Sequence, residues 1–250
     1  MRSKLWLAAF LLMASIFLFG DQASAAVLPN IDISIGGESE EPNTSALSLL
    51  LLITVLSIAP AILVLMTSFT RIVVVLGFVR MSLGTQTSPP NQVIIGLALF
   101  LTLFIMAPTL SEVNSTALQP YLRGEMTQTE ALEAAAVPMK EFMAKHTREK
   151  DLLLFMRYAQ MERPASVEDI PLTVLVPAFA ISELKTAFQM GFMIFIPFLI
   201  IDMIVSSTLM AMGMMMLPPM MISLPFKILL FVLVDGWYLV VKSVLLSFSP

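Results

Sequence analysis

Charged side chains stand within or beside long apolar runs, among them Arg71, Arg80, Glu183, Lys185, Asp202, Lys227 and Asp235. An isolated ion in such surroundings is costly, so each must find a counter-charge, reach water or be held neutral. That is the chemistry of pairing and proton handling, not of bond making. The other chemically distinctive residues are methionines, namely Met212, Met214, Met215 and Met216, with Met220 and Met221 following Pro218-Pro219. Thioethers are flexible and polarizable, so a cluster of them can close around objects of variable shape and relax without breaking hydrogen bonds. The cluster reads either as a deformable seal or as ordinary apolar filler. Reagents for catalysis are scarce. Cysteine is absent and the one histidine, His146, lies in a charged stretch where it reads as solvated, which disfavours a His/Cys metal site or a Ser-His-Asp triad. There is no Gly-x-Ser-x-Gly, His-Glu-x-x-His or phosphate-cradling Gly-Lys-Ser string, so neither an enzyme nor a cofactor is expected.

Composition sets the class. Hydrophobic residues make up 58% of the chain and charged residues 13%, with a mean hydropathy of +0.89. Soluble proteins carry about 25% charged residues, so this chain belongs in a membrane or inside a membrane assembly. A net charge of -4 and a pI ≈ 5.0 leave no basic footprint for nucleic acid.

The elements that must position these residues follow in order. Residues 1–25 have the basic start, apolar run and Ala-Ser-Ala end of a cleavable signal peptide, with an uncleaved anchor as the alternative. Residues 26–45 are polar and acidic and read as a flexible extracytoplasmic segment. Residues 46–110 form a first helical hairpin: a span kinked at Pro60, a cytoplasmic-side loop that carries Arg71 and Arg80 and whose apolar Ile72 to Val79 forms an amphipathic piece against protein or the interface, and a second span closed by Pro108. Residues 111–181 are rich in both charge signs and read as an extracytoplasmic helical insert, with a capping box at Thr127-Gln128-Thr129-Glu130 and a break at Pro138. Its apolar Phe142, Leu152, Leu153, Phe155 and Met156 fit either an intrachain core or a partner contact.

Residues 182–250 form a second hairpin, broken at Gly191 and Pro197 and folded back at Pro218-Pro219. Counted outward from the turn, Asp202 and Asp235 fall at similar depth and Lys227 much nearer the turn. The hairpin is therefore expected not to pair its own charges, leaving each acid to a cation on another chain or to an aqueous path. Glu183 and Lys185 read as a solvated interfacial pair, with an assembly contact as the alternative. The fold class is all-α: kinked hairpins in a membrane with an extracytoplasmic insert, in a form that needs neighbours to satisfy interrupted helices.

Several strings are familiar. Ser182-Glu183-Leu184-Lys185-Thr186-Ala187-Phe188, Phe195-Ile196-Pro197-Phe198-Leu199-Ile200-Ile201-Asp202, Leu224-Pro225-Phe226-Lys227 and Val232-Leu233-Val234-Asp235-Gly236-Trp237 resemble the FliP family of type III export-gate proteins. Upstream, Thr67-Ser68-Phe69-Thr70-Arg71, Pro89-Pro90-Asn91-Gln92 and Gly96-Leu97-Ala98-Leu99-Phe100-Leu101-Thr102 extend the resemblance over nearly all of the chain after Ser45. The resemblance implies a core channel subunit of the flagellar protein export gate in the bacterial inner membrane. About five copies would join FliQ-like and FliR-like subunits in a helical, pore-like hetero-oligomer that passes unfolded proteins. It implies that Met214, Met215 and Met216 line the constriction, with Met212 adjacent. It also implies that helices of spanning length can stand above the membrane plane in the assembly. The homologous subunit of a virulence secretion system is the alternative. A small-solute transporter is a weaker one, since no inverted repeat is visible.

Overall fold

The computed structural model describes residues 44–249 except positions 86, 162, 163, 165, 215 and 216. The expected signal peptide and almost all of the polar segment after it lie outside the described residues. The chain divides into two compact units, Met1–Ser57 and Ile58–Pro250. In the first, the described residues begin α1 (Thr44–Met66), in which the Ser57 hydroxyl donates to the Thr54 carbonyl at 2.7 Å.

The second unit contains the remaining helices, and no strand occurs among the described residues. They are α2 (Phe69–Ser82), α3 (Asn91–Val113), a π-helical turn (Asn114–Leu118), α4 (Gln119–Leu122), α5 (Gln128–His146) and α6 (Glu149–Tyr158). Then come α7 (Leu172–Ala211), α8 (Pro219–Leu233) and α9 (Gly236–Leu246). Asn91–Leu122 and Leu172–Ala211 are long and apolar enough to cross a membrane; Ser57–Met66 with Phe69–Ser82, bent by 73°, and α8 with α9, bent by 63°, each qualify as a bent pair.

Two apolar cores hang on α7. In α2, Phe69, Ile72, Val75, Leu76 and Val79 recur at helical spacing and are buried. They meet Ile94 and Ala98 of α3, Ala187 and Phe198 of α7, and Val240 and Val244 of α9. The second core joins Met143 of α5 and Met156 of α6 to Val174, Leu175 and Phe179 of α7. Phe142, Leu152 and Phe155 pack against that core, so these insert residues serve intrachain packing. The capping box is present: Glu130 N–H donates to Thr127 Oγ1 at 3.4 Å, and Thr127 N–H donates to Glu130 Oε2 at 2.7 Å.

The prolines correct the expected breaks. Helix α5 runs through Pro138, α3 through Pro108, and α7 through both Pro177 and Pro197 as well as Gly191. One 40-residue helix thus crosses from the insert into the second hairpin. An internal proline costs about 3 kcal/mol, whereas each large apolar side chain buried contributes about 1.5–3 kcal/mol. Helix α7 delivers Val174, Leu175, Phe179 and Phe198 to the two cores, which outweighs the loss. The sharp bend after α1 falls at Thr67-Ser68, not at Pro60. There Thr67 Oγ1 and Thr70 Oγ1 donate to the carbonyls of Leu63 and Val64, satisfying backbone that the bend frees.

At Gly191 α7 lies tight against α2: a Cβ there would lie 2.4 Å from the Phe78 ring. Gly191→Ala is expected to destabilise the detergent-extracted protein by about 1–3 kcal/mol through overpacking. Gly77→Ala, which meets nothing within 4 Å, is expected to be neutral or mildly stabilising. Equal unfolding midpoints for the two variants would refute the close approach.

Candidate functional site

The methionine turn is built by a glycine-closed helix end and a proline-started one. Helix α7 stops because Gly213 takes φ 76, a left-handed value open to glycine. Gly213 N–H donates to Met210 O at 3.0 Å and Met214 N–H to Leu209 O at 3.0 Å, satisfying the last carbonyls. Pro219 then opens α8, where a missing N–H is harmless. At this tip Met212 is 62% exposed, Met220 60% and Met221 71%, and Met214 is also exposed. Met215 and Met216 lie outside the described residues. Behind the tip a cavity of about 460 Å³ is lined by Ile201, Ile204, Val205 and Leu209 of α7 and Ile222 and Phe226 of α8. Its wall is almost wholly apolar, so it holds no chemistry.

The charges are arranged otherwise than counting predicts. Lys227 Nζ lies 2.6 Å from Asp202 Oδ2, and Ser223 Oγ donates to Asp202 Oδ1 at 2.6 Å. The hairpin does pair its own charges. The levels are set by the helix ends, Ala211 closing α7 and Pro219 opening α8, and not by the middle of the turn. Asp202 therefore stands ten residues from Met212 and Lys227 eight from Pro219, at one level. Lys227 is buried, and a Cβ on Gly84, which has φ +75, would sit 3.7 Å from its ammonium.

Glu183 is likewise not a solvated neighbour of Lys185, which is exposed. Glu183 is fully buried against Arg71, itself 3% exposed. Arg71 Nε donates to Glu183 Oε2 at 2.9 Å and Nη2 to Oε1, a two-pronged pair. Its Nη1 donates to the carbonyl and hydroxyl of Ser247, each at 2.9 Å, and its Cζ lies 3.8 Å above the Phe248 ring. The loop expected to form an amphipathic piece is the helix α2, packed against protein, and Arg71 is buried in it. Arg80 is half-buried and donates to Asn91 Oδ1. Asp235 alone of the acids in the hairpin is exposed, with no ion-pair partner among the described residues; its backbone takes φ 52 and its carboxylate does not cap α9.

A further polar cluster escaped the sequence expectations. Arg148 Nη2 lies 2.7 Å from Asp151 Oδ2, and Ser182 Oγ donates to the same oxygen at 2.8 Å while accepting from Arg148 N–H at 3.1 Å. The i,i+3 spacing of Arg148 and Asp151 was a visible signal; the Ser182 link across the fold was not. His146 also departs from the expected solvated state. Its ring lies 4.9 Å from Phe142 and 5.1 Å from Phe248. Burial, then the nearby charges of Arg71 and Lys145, lower its pKa to about 4. Among the described residues, no group of three or more His, Cys, Asp or Glu is placed to hold a metal ion.

Comparison with known proteins bears on what such a site is for. Residues 52–244 match the FliP family. The chain is 69% identical over 217 residues to the flagellar biosynthetic protein FliP of Bacillus subtilis (strain 168), covering 86% of this chain and 98% of the relative. It is 47% identical over 224 residues to the protein of that name from Aquifex aeolicus (strain VF5), covering 89% and 92%. To that of Caulobacter vibrioides (strain ATCC 19089 / CIP 103742 / CB 15) it is 50% identical over 227 residues, covering 91% and 84%.

Two outcomes are expected. Arg71→Met and Glu183→Leu should each cost about 3–5 kcal/mol, because each leaves a buried charge alone, whereas the double variant costs clearly less than their sum. Strict additivity in thermal unfolding would remove the pair as a coupled unit. For His146, the folded protein holds the pKa near 4 against an ordinary value of 6.5. Between these values the unfolded chain binds more protons, so stability falls as pH drops from 6.5 toward 4 and is independent of this group above 6.5. His146→Phe should flatten that decline; an unchanged slope would contradict it.

Proposed function

The chain belongs to the FliP family of flagellar proteins, and on that premise we propose that it is a core subunit of the flagellar type III protein export gate. As a non-enzymatic component of that apparatus, it sits in the bacterial inner membrane and conducts unfolded flagellar proteins. Several copies surround the conduit together with FliQ-like and FliR-like subunits. Each contributes the turn between α7 and α8 to a soft seal. The observation that carries this reading is the family match over residues 52–244, which includes the whole methionine turn and its supporting hairpin.

The physics of the turn supports the seal. The described methionines of the tip, Met212, Met214, Met220 and Met221, are exposed and uncharged, and packing does not otherwise need them. A ring of such side chains excludes water and ions when closed and yields to a passing polypeptide of varied side chains. The buried pair Arg71–Glu183 and the half-buried pair Asp202–Lys227 keep the rest of the hairpin fixed while the tip deforms. Asp235 remains for a contact outside the chain.

Replacing Met214, Met215 and Met216 together with Ala should widen the closed aperture. Cells carrying the variant are expected to leak small solutes, measured as sensitivity to normally excluded ions, while export of flagellar proteins persists in part. A triple variant that neither leaks nor alters export would sink the seal assignment.

A further inference from the structure

In the membrane-type part of the fold, charges are neutralised at home. Asp202 has Lys227, and Glu183 has Arg71. Exposed Lys185 of α7 does not follow this rule, and nor do Asp235 and Lys242: both are exposed, and neither has an ion-pair partner among the described residues. They bracket α9. Asp235 stands at its N-terminal end with its carboxylate uncommitted to capping. Lys242 lies seven residues further, about 10 Å along the axis, with its ammonium 5.7 Å above the Tyr238 ring.

Between and beyond them the exposed surface of α9 is apolar and aromatic. Tyr238 is 58% exposed, Leu239 47% and Leu246 60%. The backbone is not free to retract Asp235, because Gly236 beside it is packed so closely that a Cβ would fall 2.3 Å from the Phe231 ring. The helix therefore offers an anion at one end, a cation at the other, and a large apolar strip between. Such a strip is complementary to itself: a second α9, shifted along the first, meets acid with base while covering aromatic and aliphatic surface. In apolar surroundings, where hydrophobic driving force between helices is weak, a charge contact of this kind fixes partner and register.

We propose that α9 is a contact surface between copies of this chain, with Asp235 of one copy pairing with Lys242 of the next. This rests on the reading of several copies around a conduit and specifies how neighbours are set against each other. The occupant is a second copy, since the complementary charge is carried on the same helix.

The chain has no cysteine, so introduced thiols report without background. Full-length Asp235→Cys and Lys242→Cys copies, carrying different tags, are co-expressed with the neighbouring membrane subunits and oxidised mildly in the membrane. A disulfide-linked dimer bearing both tags is expected, and little or none when Lys185→Cys replaces Lys242→Cys. Native mass spectrometry of charge variants supplies the second readout. Asp235→Lys should lower the multi-copy fraction about tenfold, the scale of one unfavourable charge contact, and the exchange Asp235→Lys with Lys242→Asp should restore it. A multi-copy complex with no mixed dimer and no restoration would overturn the contact and leave the channel reading standing. A complex containing only one copy would overturn both.

Discussion

A guanidinium with almost no access to water sets how this fold closes. Arg71 of α2 gives two prongs to Glu183 of α7, its third nitrogen to the chain end at Ser247, and its face to the Phe248 ring. Phe248 in turn lies against Phe142 and His146 of α5. Removing such a pair from water is expensive, so the pair is not chiefly a source of stability. Its effect is selective. Any slip of α2 along α7 would leave a buried charge without its partner, and the penalty for that exceeds what imperfect apolar packing alone would impose. Four segments distant in sequence are thus held in one register by one side chain.

The same logic recurs farther along α7. Asp202 is nineteen residues from Glu183, roughly 28 Å along the helix, and there Lys227 and Ser223 of α8 meet it. With Arg148 and Asp151 gathered at Ser182, polar links fix α7 to α6, α2 and α8 in succession. Helix α7 can run through two prolines because its position is determined from outside, at several points, and not by its own ladder alone.

What could be read from the sequence was local. The all-helical class, the turn at Pro218-Pro219 and the Thr127–Glu130 capping box rest on composition, on missing amide donors and on a three-residue spacing. Proline as a breaker failed at positions 108, 138 and 197 because tertiary burial outweighs one lost hydrogen bond. The charges failed for another reason. Arg71 and Glu183 lie 112 residues apart, and nothing in either neighbourhood names the other. Asp202 and Lys227 are only 25 apart, but a residue count taken from the middle of the turn sets them at different depths, whereas they meet across α7 and α8. His146 looked solvated among charged neighbours in sequence, whereas its neighbours in space are aromatic. Candidate residues were legible by type; their partners were not.

The surface left by this arrangement inverts that of a soluble protein. Ionic groups such as Arg71, Glu183 and Lys227 are inside, while Phe100, Phe104, Phe192, Met193 and Leu233 are more than 60% exposed. Against lipid or other apolar helices these side chains gain little by association, since both environments are equally dry. Any contact of such a surface with another apolar helix would then be decided by shape and by the few polar groups that remain outside. Close approach is available where small residues allow it, as Gly191 does for Phe78 within the chain. Specific pairing requires a group whose desolvation is unfavourable until the right neighbour arrives. By committing Arg71, Glu183, Asp202 and Lys227 to their own pairs, the fold leaves an exposed charge such as Asp235 unanswered by those four.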